Sequence, residues 1–99
     1  MKIIWSPLSI DRVTEIAEYI AQDNPSAAAD WVETLFAKIE LLASSPNIGR
    51  VVPEVDRDDV RELIYGNYRV VYLNKGNQIS ILTIRHGKQI MPIEELTGC

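Results

Sequence analysis

The stretch VRELIYGNYRVVYLNKGNQISILTIRH, residues 60–86, decides the fold of this 99-residue chain. Three runs rich in Val, Ile, Leu and Tyr are separated by Gly66-Asn67 and Lys75-Gly76, pairs that suit hairpin turns. They read as antiparallel strands over 60–65, 68–73 and 78–86. With two-residue turns, Tyr65 faces Tyr68 and Asn74 faces Asn77, and alternation sorts the side chains onto two faces. One face carries Leu63, Tyr65, Tyr68, Val70, Tyr72, Ile79 and Ile81, with Arg61 and Arg85 at its ends. The other carries Val60, Ile64, Val71, Leu73, Leu82 and Ile84, interrupted by Glu62, Arg69, Ser80 and His86. That second face is too apolar for bare solvent and too polar for a closed core, which predicts a binding groove. Arg69, a permanent cation in mid-strand, has two explanations. It pairs diagonally with Glu62, for about 0.2–1 kcal/mol, or it meets a partner.

Upstream, Lys2–Trp5 is short and apolar and reads as a first strand. Ser6 followed by Pro7 is a helix-start signal, a capping hydroxyl before a proline at the first helical position. Ile10, Val13, Ile16, Ala17 and Ile20 recur at helical spacing until Asn24-Pro25. Ser26 is read as the cap of a second helix carrying Ala28, Trp31, Leu35, Ile39 and Leu42, stopped by Ser44-Ser45-Pro46. Two helices joined so tightly form a helical hairpin. Residues 46–59 hold prolines, a glycine and charges, and read as loop. The tail carries Pro92 and Glu94-Glu95. The expected fold is therefore α+β in the order β-α-α-β-β-β, one domain over 1–99. An antiparallel sheet of about four strands carries the helical hairpin on one face.

Composition bounds the function. A chain 46% hydrophobic and 24% charged supports one core. No run approaches the roughly 18 apolar residues of a membrane span, and the N-terminal stretch lacks a signal peptide's apolar region and cleavage site. A soluble cytoplasmic domain is expected. One cysteine, Cys99, and one histidine, His86, make neither an internal disulfide nor a zinc set, so no metal and no cofactor are expected. The net charge of −4 disfavours direct nucleic-acid binding. Its distribution is uneven: within 61–88, Arg61, Arg69, Lys75, Arg85 and Lys88 stand against Glu62 alone.

The element order, the VREL…GNYRVVY strand pair and the closing IRHGKQ resemble the RelE/ParE superfamily of toxins from bacterial toxin–antitoxin pairs, along nearly the whole chain. Within it the chain is most similar to ParE, whose members poison DNA gyrase; RelE-type members cleave messenger RNA on the ribosome. Metal-free RNA cleavage needs a base, a cation for the phosphorane and an acid for the leaving oxygen. Arg69 matches the strand arginine of the RelE-type pattern. The lysines of that pattern fall at Val60 and Glu62, its later arginine falls at Gln89, and no tyrosine follows Tyr72. The resemblance therefore implies a toxin that acts by binding gyrase and is neutralised by a cognate antitoxin, through which it could oligomerise. Arg61, Arg69, His86 and Lys88 are the expected target-facing set. Val71, Leu82 and Ile84 beside Arg69 are the expected antitoxin strip. The alternatives are a ribosome-dependent endoribonuclease using Arg69 and His86, and a scaffold that only binds its partner. Against these roles stand plain ones: His86 closing its strand before Gly87, and Arg61, Arg85 and Lys88 as solvated sheet ends.

Overall fold

Two short capping devices set the helical half of the molecule. In the computed structural model, which describes residues 1–87 and 92–96, strand β1 (Lys2–Trp5) leads into helix α1 (Pro7–Asp23). Ser6 Oγ accepts the Ser9 N–H at 3.0 Å and donates to the Leu82 carbonyl at 2.9 Å. The cap thus starts the helix and also pins it to the sheet. Asn24 serves both helices. Its N–H donates to the Ile20 carbonyl, closing α1, while its Oδ1 accepts the Ala27 N–H at 3.1 Å and opens α2 (Pro25–Glu40). The sequence reading put that cap at Ser26; Asn24 has the extended backbone a cap requires, with Pro25 at the first helical position behind it. A 3-10 turn at Leu41–Ala43 ends the hairpin.

The remaining strands are β2 (Arg50–Val51), β3 (Val60–Tyr65), β4 (Tyr68–Asn74) and β5 (Gln78–His86), with a 3-10 turn at Ile93–Leu96. The described residues form one five-stranded sheet, ordered β1-β5-β4-β3-β2. The α+β class and the packed hairpin are as expected, and the sheet differs in two particulars. β1 runs parallel to β5, with Lys2 opposite Gln78 and Trp5 opposite Ile81, because the helices form the crossover that parallel pairing needs. β2, inside the stretch read as loop, pairs Arg50 with Glu62 and Val51 with Arg61.

Register decides which face each side chain reaches. Tyr65 pairs with Tyr68 around Gly66-Asn67, as expected, with Gly66 at φ +59°, where a Cβ is disfavoured. At the second turn Asn74 pairs with Ile79, a slip of two residues that leaves the faces unchanged. Further along, Val71 pairs with Thr83 but Tyr72 with Ile81, so Leu82 is the extra residue of a β-bulge. Beyond it the alternation inverts. Ile84 and His86 therefore join the helix-covered face opposite Val70 and Tyr68, and Arg85 crosses to the other face opposite Arg69. These three placements correct the sequence reading.

Both faces are cores. Leu35, Ile39 and Leu42 pack on Val70, Tyr72, Ile79, Ile81 and Ile84. On the opposite face Val52, Val60, Val71, Leu73, Leu82 and Leu96 form a second cluster, with Val55 against it. The expected open groove is thus covered by the loop after β2 and by the 93–96 turn. No helix among the described residues is long and apolar enough to cross a membrane.

Candidate functional site

Arg69 lies on the second face of β4, between Ile64 of β3 and Arg85 of β5. Its Nε donates to Glu62 Oε1 at 2.6 Å, and its two Nη atoms donate to the two oxygens of Glu54, each at 2.8 Å. The other oxygen of Glu62 accepts from Arg50 Nε at 2.6 Å. The result is a chain, Arg50–Glu62–Arg69–Glu54, with equal numbers of positive and negative groups. It is buried at its centre: Glu62 is 0% and Arg69 8% exposed, against 62% for Arg50 and 33% for Glu54. Charge-assisted and bidentate geometry of this kind is what makes a buried cation tolerable. The fork from Arg69 outweighs the opposing effect of burial and holds the Glu54 carboxyl at about 2, below its usual 4.5. In return the Glu54 hydrogen bonds, opposed by burial and reinforced by Glu62, push the Arg69 pKa up.

The diagonal Arg69–Glu62 pair read from the sequence is present. Glu54, given no position by the sequence, is the missed member. Arg50 was missed too, because β2 was read as loop.

The strand arginine and its carboxylates rest on a second fixed point. Tyr72, fully buried, accepts the Gly49 N–H at 3.0 Å and donates to the Pro46 carbonyl at 2.8 Å. A Cβ on Gly49 would lie 2.6 Å from the Tyr72 hydroxyl and 2.7 Å from the Glu62 carbonyl oxygen. Only glycine lets the chain pass here, and the passage sets Arg50 beside Glu62.

The other expected site residues do not converge on Arg69. Arg61 sits at the far end of β3 and clasps loops, its Nη1 on the Gly49 carbonyl at 2.9 Å and its Nη2 on Asp58 at 2.7 Å. His86 stands edge-on to the Tyr68 ring, centroids 5.7 Å apart. It shares a cleft of about 290 Å3 with Arg12, Glu15, Ile16, Tyr68, Ile84 and Arg85. A smaller cleft of about 210 Å3 at the sheet end is bordered by both His86 and Arg69. The Arg69 guanidinium itself is spent on Glu54 and Glu62. Lys88 lies outside the described residues. Val71, Leu82 and Ile84 are buried, the first two beneath Val52, Val55 and Leu96 and the last beneath the helices, so they are not an exposed strip.

A second ionic group, unforeseen, ties the 93–96 turn to the sheet. Glu95 accepts from Arg12 at 2.8 Å, Arg85 at 2.7 Å and Thr83 at 2.6 Å. Burial pushes its pKa up, but these donors prevail and the net shift is downward. Among the described residues no cluster of His, Cys, Asp and Glu could hold a metal ion.

Residues 3–91 match the family model described as the ParE toxin of type II toxin–antitoxin systems, parDE. The chain belongs to the ParE toxin family. A curated protein of Sinorhizobium fredii (strain NBRC 101917 / NGR234), named "Putative toxin Y4kP", is 32% identical over 93 residues, 92% of this chain and 93% of its own length. The fold also matches a structure titled "Chromosomal ParDE TA system from P. aeruginosa", with a TM-score of 0.71 at 22% identity. That match covers 87% of this chain and 95% of the other. This ParE-family chain therefore carries its strand arginine as the hub of an internal ion network.

Proposed function

We propose that this toxin arrests growth in the cytoplasm by binding DNA gyrase, not by cutting RNA, and that a cognate antitoxin neutralises it. The observation that supports binding over cleavage is the pairing of Arg69 with two carboxylates. All three of its nitrogens donate to Glu54 or Glu62. A cation already committed to two carboxylates is poorly placed to stabilise a phosphorane. By register, His86 also projects on the opposite face from Arg69. The target surface then includes the sheet end near His86, away from Arg61 at the far end of β3.

The experiment is induction in cells without the antitoxin, followed by a supercoiling assay with purified toxin and gyrase and by mapping of transcript ends. Growth arrest with inhibited supercoiling and intact transcripts is the expected outcome. Cleavage on translating ribosomes, lost in His86→Ala, would replace this reading with the endoribonuclease. Normal growth would leave a partner-binding scaffold.

A further inference from the structure

The two carboxylates on Arg69 are not equivalent. Glu62 belongs to a paired strand, is fully buried and is also held by Arg50. Glu54 comes from the loop between β2 and β3, keeps a third of its side chain in solvent, and stands at the mouth of the network. Its loop is anchored near its ends, by the Val52 N–H on the Val60 carbonyl, the Asn74 N–H on the Asp59 carbonyl and Arg61 on the Asp58 carbonyl and carboxylate. Val52 and Val55 pack on the second cluster, and Arg57 pairs within the loop with Asp59. Asp56 sits at φ 53°, in the left-handed region that a non-glycine residue adopts at some cost. The outer half of the Arg69 fork is therefore filled by a partly solvated loop residue, and the inner half by a buried strand residue.

We infer that Arg69 is a carboxylate-receiving seat, plugged in cis by Glu54, and that an extended protein segment carrying an acidic residue beside an aliphatic one takes the seat by displacing the 52–59 loop. The chemistry of the occupant follows from the internal one. A planar guanidinium presenting two parallel N–H groups selects a carboxylate by its geometry. The residue after Glu54 is Val55, which packs on the Val60, Val71 and Leu73 cluster. An incoming segment must replace both, the ion pair with an ion pair and the aliphatic contact with another. The exchange then costs little beyond opening the loop, and the covered strip becomes part of the interface. Segments that order on binding suit this role. The inference deepens the antitoxin reading above and rests on it only for which protein brings the segment.

The test uses the toxin chain alone, so failure here leaves that reading standing. Glu54→Ala empties the seat. The probes are the blocked tetrapeptide acetyl-Val-Pro-Glu-Val-amide, its Gln counterpart, sodium acetate and sodium phosphate at matched ionic strength, followed by amide shifts at residues 68–71 and by melting. The Glu peptide should bind Glu54→Ala at least about tenfold more tightly than the Gln peptide, and acetate should raise its Tm saturably while leaving the wild type unmoved. Equal binding of the two peptides, or a larger stabilisation by phosphate than by acetate, would overturn the carboxylate seat. Hydrogen exchange supplies the second reading: loss of protection confined to 52–59 supports an exchangeable plug, and loss extending through β3 and β4 refutes it. Should Glu54→Ala fail to fold, Glu54→Gln carries the same titrations, and failure of both would make Glu54 a structural member and end the proposal.

Discussion

Replacing Arg69 with alanine removes the centre of a four-group ion chain and leaves Glu62, at 0% exposure, with Arg50 as its remaining partner in that chain. Breaking a buried pair by deleting one member costs about 3–5 kcal/mol, since the surviving charge stays desolvated. For a domain of this size that corresponds to a fall in Tm of roughly 12 °C or more. It is also a large part of a total stability on the order of 5–15 kcal/mol. Glu54→Ala should cost only about 1 kcal/mol, because its carboxylate is partly solvated and Arg69 keeps Glu62. Replacing both central charges, Arg69→Met with Glu62→Leu, should recover most of the loss, as apolar substitutes of similar volume often do. Urea unfolding at constant m measures all four proteins, and the single variants Arg69→Met and Glu62→Leu complete the cycle whose departure from additivity gives the coupling. A cost below about 1 kcal/mol for Arg69→Ala with unchanged m would refute the buried-hub argument. Loss of toxicity in that variant must therefore be read against its folded fraction before it is assigned to a target contact.

Two further outcomes follow from the same neighbourhood. Gly49→Ala should cost about 1–3 kcal/mol by overpacking, and adding Tyr72→Phe should not restore it, because the Glu62 carbonyl oxygen still lies 2.7 Å from the new methyl; thermal melts of the single and double variants check this. The depressed Glu54 carboxyl, at about 2 against a usual 4.5, contributes stability that is fully present above 4.5 and is lost as pH falls toward 2. Wild type should therefore lose stability more steeply across that window than Glu54→Gln, and equal slopes in acid titrations of the two would contradict the pairing.

The hairpins were legible because both turn pairs carry glycine between β-branched and aromatic runs, and the Gly66-Asn67 register came out as read. The helices were legible from period and proline, although Asn24 was read only as the end of the first helix and Ser26 as the cap of the second, where the extended backbone of Asn24 supplies the cap. The bulge at Leu82 was not legible. Ile81-Leu82-Thr83 has no turn residue or charge to mark an extra position, yet one unpaired residue carried Ile84, Arg85 and His86 to opposite faces. Glu54 was illegible for another reason. Its loop reaches Arg69 across 15 positions of sequence, and neither periodicity nor turn chemistry specifies where such a loop lands. The groove vanished for the same reason, since Val52, Val55 and Leu96 come from segments whose covering role is a tertiary fact.

The pairing of β1 with β5 makes the first strand of this sheet in chain order the last one seated. Ile3, Ile4 and Trp5 have no neighbouring strand until residues 79–81 have emerged from the ribosome, and the Ser6 hydroxyl has no Leu82 carbonyl to meet. Before that moment the local structures open to the nascent chain are the helical hairpin, with its apolar stripe bare, and the β3–β4 hairpin. Contacts this distant in sequence are also slow to close. The five-stranded sheet is complete only after β5 has been made, which gives a partner present at the site of synthesis the first approach to it.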